Sequence, residues 1–208
     1  MRMPADADWL PLFPLQTVLF PDGLLPLRIF ETRYIDMVRE CMRLEKPFGV
    51  VAIRDGSEIG AAAEPEAIGC IARIIEWDME AGGLLMIRTQ GGLRFRITAT
   101  RVLADNRLEA HIEYLPADQL LPPSDAHVEC AKTLKLITDD FSQREAKEKD
   151  FSFPFAKPLR LDDAGWVANR WCEILPLPLN ARQKLLELDD PEGRLSIIYT
   201  YLQQQKIL

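Results

Sequence analysis

A chain of 208 residues, 48% hydrophobic and 27% charged, can bury a full core as one large or two modest domains. Its formal charge of −7 argues against a nucleic-acid or anionic-membrane partner. No stretch approaches the ~20 consecutive apolar residues of a membrane helix, and residues 1–8 carry acids where a secretory signal carries a basic run, so no membrane is expected and the expected location is the cytoplasm. The four cysteines, Cys41, Cys70, Cys130 and Cys172, are far apart among apolar residues with no CxxC pair, which predicts buried free thiols.

In chain order, the first pattern is a proline-punctuated apolar stretch from Leu10 to Tyr34. Pro14, Pro21 and Pro26 lack an N–H and exclude a helix or central strand, leaving two short extended pieces, Leu10 to Leu15 and Leu25 to Phe30, joined through the turn signal Pro21-Asp22-Gly23. Tyr34, Met37, Val38, Cys41 and Met42 then fall at helical spacing opposite a charged face, and the helix must stop before Pro47. Residues 48–53 read as a buried strand and 54–66 as a surface loop. Strands return from Ile68 to Trp77 and from Leu84 to Arg88, with Gly82-Gly83 as their turn. Gly91-Gly92 predicts a bulge or bend before Leu93 to Thr98, with Leu93, Phe95 and Ile97 on one face. After a turn at Asp105-Asn106, Leu108, Ala110, Ile112 and Tyr114 alternate inward. Strands of this number and spacing predict a small closed or nearly closed β-barrel.

Residues 115–125 form a proline-rich connector, and beyond it the period is helical. Cys130, Leu134, Ile137 and Phe141 mark one helix. Ala164, Val167, Ala168 and Trp171 mark another, capped at Asp162-Asp163, and two short helices follow Asn180 and Asp190-Pro191. The fold class is therefore α+β: a barrel-forming part, 1–116, with one packed helix, and a helical bundle, 117–208. Gln143 to Arg160 lies between the first two of these helices and ends in Phe151-Ser152-Phe153-Pro154-Phe155.

These residues resemble a family. Leu12-Phe13-Pro14-Leu15, Phe20-Pro21, Leu25-Pro26-Leu27-Arg28-Ile29-Phe30-Glu31 and Arg33-Tyr34 are similar to the opening signature of the LON substrate-binding domain, the N-terminal domain of bacterial-type ATP-dependent Lon proteases. Ile68-Gly69-Cys70-Ile71-Ala72, Gly92-Leu93-Arg94-Phe95-Arg96-Ile97 and Gln183 to Leu195 continue the likeness over nearly the whole chain. The resemblance implies a PUA-like barrel with a helical C-terminal part, and a role in contacting unfolded or degron-bearing protein segments or a partner protein. The chain departs from a full protease: no Gly-x-x-x-x-Gly-Lys-Ser/Thr phosphate loop occurs, and a serine–lysine proteolytic domain is not expected. The expectation is binding without chemistry, with no cofactor, no metal and no catalytic residue.

The motif residues Phe13, Pro14, Pro21, Pro26, Phe30, Glu31, Arg33, Tyr34, Gly69 and Phe95 are read as structural, setting strand ends and filling the core. Glu31 is a candidate ion-pair partner for Arg33 or Arg28. The candidate binding residues are Phe151, Phe153 and Phe155, either an apolar anchor for a peptide or for a second copy of the chain in a homodimer or a loop tucked over the junction between barrel and bundle, with Arg94 and Arg96 as grips for carboxylates or carbonyls. Arg88, Arg94, Arg96, Arg101 and Arg107 make one interval basic, and an RNA-binding reading rests on it. Residues 1–116 nevertheless hold 13 Lys+Arg against 17 Asp+Glu, and residues 117–208 hold 12 against 15. His111 and His127 lie in different segments, and His127 with Cys130 supplies only two ligands.

Overall fold

The computed structural model describes residues 9–80 and 82–208. The chain divides into two compact units, one ending at Pro116 and one beginning at Ala117.

In the first unit the described elements are β1 (Leu10–Leu15), β2 (Leu24–Ile29), α1 (Thr32–Leu44), β3 (Phe48–Asp55), β4 (Glu64–Pro65), β5 (Ile68–Met79), β6 (Leu85–Val102) and β7 (Leu108–Tyr114). They pair in the order β1-β7-β6-β5-β3-β4, with β2 added on β6. β1 also pairs in parallel with β3, Leu12 opposite Gly49 through Leu15 opposite Ala52, so the path of pairings returns to its first strand. Pro14 lies beyond the β1–β7 ladder, which ends at Leu12, and Pro26 sits on β2, whose pairings all go to β6. Both positions tolerate a missing N–H.

Neighbouring residues along the strands serve two cores, as alternation requires. Leu12, Val51, Ile71, Phe95, Leu108 and Ala110 form one cluster. Phe13, Val50, Cys70, Ile29, Leu85 and Ile87 form the other, which α1 covers with Tyr34, Met37, Val38 and Cys41. Phe13 stacks on Tyr34 with centroids 4.2 Å apart. A Cβ at Gly69 would stand 2.5 Å from the Val50 carbonyl oxygen and 2.7 Å from the Phe95 ring, so this position keeps β5 and β3 at sheet distance above a buried aromatic. The β5–β6 hairpin turns through Gly82 and Gly83, both at positive φ, and a register shift opposite Gly92 places the expected bulge.

The bulge overturns one detail: it rotates Leu93 out of the Phe95 face, leaving it exposed. Tyr114, at the end of the alternating β7, and Phe30, just past β2, are exposed as well. Glu31 does pair with Arg33, at 3.0 Å. Arg33 also donates to the carbonyls of Gly60 and Asn106, tying the start of α1 to two loops.

The second unit holds α2 (Val128–Lys147), α3 (Ala164–Ile174), α4 (Leu179–Glu187) and α5 (Pro191–Gln204). Asp163 caps α3 by accepting from the N–H groups of Gly165 and Trp166, and Asp190 caps α5 with Pro191 at its first position. Arg194 is buried and saturated: it donates to Asp118 at 2.7 Å, to Asn169 at 2.9 Å and to the carbonyls of Leu185 and Leu188. All four cysteines are free and buried. Burial, partly opposed by Arg194, Arg170 and Arg182, pushes the Cys172 thiol up to about 12, so it is protonated and inert at neutral pH.

A candidate peptide groove and the family of the chain

β5 outruns its neighbour. β3 pairs with it only from Phe48 opposite Ala72 to Val50 opposite Cys70, and past Ala72 the described pairings of β5 go to β6 alone. Among the described residues, 73–79 are therefore an outer edge of the sheet. In this segment Trp77 stands opposite Ile87 and Met79 opposite Leu85, which puts both on the face that α1 covers elsewhere. Ile87 and Leu85 are 3% and 0% exposed, whereas Trp77 and Met79 are 62% and 38% exposed. The sheet face thus continues beyond the helix that covers it.

The end of α1 makes a wall beside this edge. Glu45 adopts the left-handed conformation, the N–H of Lys46 returns to the Cys41 carbonyl at 2.9 Å, and Pro47 follows. Between this wall and β5 lies a groove of about 440 Å³ lined by Cys41, Met42, Glu45, Lys46, Pro47, Arg73, Ile74, Ile75 and Trp77. Lys46 and Arg73 are exposed and make no ion pair among the described residues. The Cys41 thiol offers no nucleophile, because burial, reinforced by Glu40, pushes it up to about 11. The arrangement can hold an apolar chain and neutralise carboxylates.

A smaller hollow of about 210 Å³ lies on the opening motif, between Phe13, Leu15, Leu27, Phe30, Tyr34 and Ile59. Burial raises the Tyr34 hydroxyl above its usual range against the partial opposition of Arg33.

The expected binding residues fall elsewhere. Phe153 and Phe155 are each 3% exposed; their ring centroids are 6.0 Å apart, Phe141 lies 6.4 and 6.1 Å from them and Trp166 lies 6.1 Å from Phe155, while Phe151 packs on Phe141 at 5.8 Å. The backbone N–H of Phe153 donates to Glu145 at 3.0 Å, and the Arg144 guanidinium lies 4.3 Å from the Phe151 ring centre. Phe153 and Phe155 are interior packing of the second unit, and Phe151 is half-buried. Arg94 is buried on β6, whereas Arg96 is exposed, in register with Glu113. The basic interval is neutralised by its neighbours: Arg88 meets Glu76 at 3.7 Å, Arg101 meets Glu109 at 2.6 Å and Arg107 meets Asp105 at 2.6 Å. With these charges already paired and Arg94 inside, the RNA-binding reading is not supported.

His127 Nδ1 lies 2.5 Å from Glu192 Oε1 and 3.1 Å from Ser124 Oγ. Both partners share one ring nitrogen, so no proton relay from carboxylate through imidazole to hydroxyl is built. Cys130, pushed up to about 12 by burial with Glu192 adding to it, is a protonated core thiol. Among the described residues no group of three His, Cys, Asp or Glu side chains could hold a metal.

No helix is long and apolar enough to cross a membrane among the described residues. The chain is 26% identical over 203 residues to the Lon protease of Anaeromyxobacter dehalogenans, covering 95% of this chain and 23% of that protein; it spans about a quarter of the length of the curated Lon proteases it matches. The crystal structure of a Lon N-terminal domain protein from Xanthomonas campestris superposes with a TM-score of 0.74 at 33% identity, covering 93% of this chain and 98% of that one. The N-terminal domain of Mycobacterium avium complex Lon protease shares the fold, with a TM-score of 0.62 at 18% identity and coverage of 94% and 98%. The family model of the ATP-dependent protease La (LON) substrate-binding domain matches residues 9–204, and the chain belongs to that family.

Proposed function

We propose that this chain is a non-catalytic protein-binding module that takes up unfolded or degron-bearing segments of other polypeptides at the groove between α1 and β5. The observation that carries the reading is the contrast along one sheet face, Ile87 covered and Trp77 open, in a member of a substrate-binding family. Apolar surface of this kind gains about 25 cal/mol per Å² when a partner covers it, less the cost of ordering that partner. The finer architecture is part of the proposal. The ring of pairings through β1 and β3 supports a PUA-like barrel for residues 1–116, and the four helices α2 to α5 support a bundle for 117–208. A cytoplasmic setting fits the thiols, all four of which are free.

The test is equilibrium binding of a reduced, carboxymethylated protein, which cannot refold, against its native form. The expected result is at least about a tenfold preference for the unfolded probe, in keeping with a site that needs extended chain. Equal binding of the two forms, or none of either, would remove the reading.

A further inference from the structure

The same groove, taken as the binding site proposed above, has the chemistry of a strand-addition site with a defined polarity. The Glu80 N–H donates to the Leu84 carbonyl at 3.0 Å, so it points into the hairpin. Backbone groups alternate sides along a strand, and those of Trp77 and Met79 therefore point away from β6, toward the open edge. The Met79 N–H is held by its neighbour's carboxylate, Asp78 Oδ1, at 2.8 Å. Trp77 lies between that guarded end and the point where β3 departs. A residue paired with Trp77 from outside would share its face and lie over the groove.

The two ends of the groove differ. Lys46 lies two residues before β3, and Arg73 immediately follows Ala72, the last β5 residue paired to β3, so both cations, with Glu45 beside Lys46, stand at the inner end. Trp77 and Met79 stand toward the hairpin end. We infer that the edge of β5 accepts an extended peptide as an added strand, one that places side-chain carboxylates against Lys46 and Arg73 and an apolar side chain against Trp77. A second copy of this chain fits poorly. Antiparallel self-pairing about Trp77 sets Glu76 against Asp78 twice, and like charges directly opposite are destabilising.

The test uses the full chain and capped, fluorescent probe peptides of about nine residues, the length of a β-strand. One probe alternates valine with glutamine and carries two glutamates at one end, a second carries lysines in their place, and a third is the first with alternate backbone nitrogens methylated. The glutamate probe is expected to bind about tenfold more tightly than either of the others, as edge hydrogen bonds and a charge pair together allow. Arg73→Glu should reverse the order of the acidic and basic probes. Equal affinity for all three probes overturns the inference, as does a basic probe that binds the unaltered chain more tightly. So does a dimer seen in sedimentation that Trp77→Arg dissociates, which would assign the edge to a second copy. The two proposals fail differently: if the carboxymethylated protein binds but the three probes are not distinguished, only the strand-addition inference is lost, whereas loss of all binding removes the parent reading.

Discussion

The loop Phe151–Phe155 and the strand segment Ile75–Met79 are alike on paper, each an alternating row of large apolar side chains. In the fold they are opposites. Phe153 and Phe155 are inside a cage of aromatic rings, with Glu145 holding the backbone at Phe153. Ile75, Trp77 and Met79 stand in water, although the strand opposite them is core. The difference comes from coverage. The loop folds back onto α2 and α3, which supply Phe141 and Trp166, while α1 ends at Leu44, leaving the edge of the sheet beside it bare. An apolar row that is already covered contributes to stability, and one left bare is available to a partner.

The sharpest way to break this comparison is to truncate one member of each row. Phe155→Ala removes a ring that touches Phe141, Phe153 and Trp166 and is expected to cost about 3–5 kcal/mol of stability, read by urea unfolding, while leaving the affinity for unfolded protein unchanged. A variant with unaltered unfolding and lost binding would exchange the roles of the two regions. Trp77→Ala is expected to do the reverse. Its stability should move by no more than about 0.5 kcal/mol, as for an exposed residue, while affinity for the carboxymethylated probe falls about tenfold or more, the behaviour of an aromatic anchor.

A smaller effect sharpens the point that the second unit is held by internal bonds. Burial pushes the Glu192 carboxyl up, but hydrogen bonds from Ser124 and His127 outweigh it and hold the group below its ordinary 4.5. Its folded value is depressed, so its contribution is full above the unfolded value and disappears as pH falls through the folded one. The melting temperature of the unaltered protein should therefore exceed that of Glu192→Gln above about pH 5, with the gap closing as acid carries the pH below the ordinary carboxylate range. A gap that widened on acidification would contradict the assignment, and binding of the unfolded probe should be indifferent to this change.

Much of the fold was legible because it follows local rules. Gly82-Gly83, Asp163 and Asp190-Pro191 act where turn and cap chemistry place them; Pro14 and Pro26 sit at strand positions that tolerate them, and Pro21 sits in the turn between those strands. What alternation conveys is which residues share a face; whether that face is covered depends on elements distant in sequence. Hence Phe30 and Tyr114 are outside, and in the Phe151 loop, which the pattern leaves open between an exposed anchor and a tucked loop, Phe153 and Phe155 are inside. Leu93 left its face because a bulge adds one residue and inverts everything on one side of it. The groove residues Lys46, Arg73, Ile75 and Trp77 carry no motif. The signal available was length: β5 has 12 residues and β3 has 8, so among the described residues the far half of the longer strand is paired on one side only, with β6.

The central claim is that partners are bound at the bare edge of β5, and amide hydrogen exchange with and without saturating carboxymethylated protein tests it most directly. The account predicts that slowed exchange appears at residues 73–79 and at the end of α1, with 151–155 unchanged. Protection appearing at 151–155, with β5 exchanging as before, would contradict it.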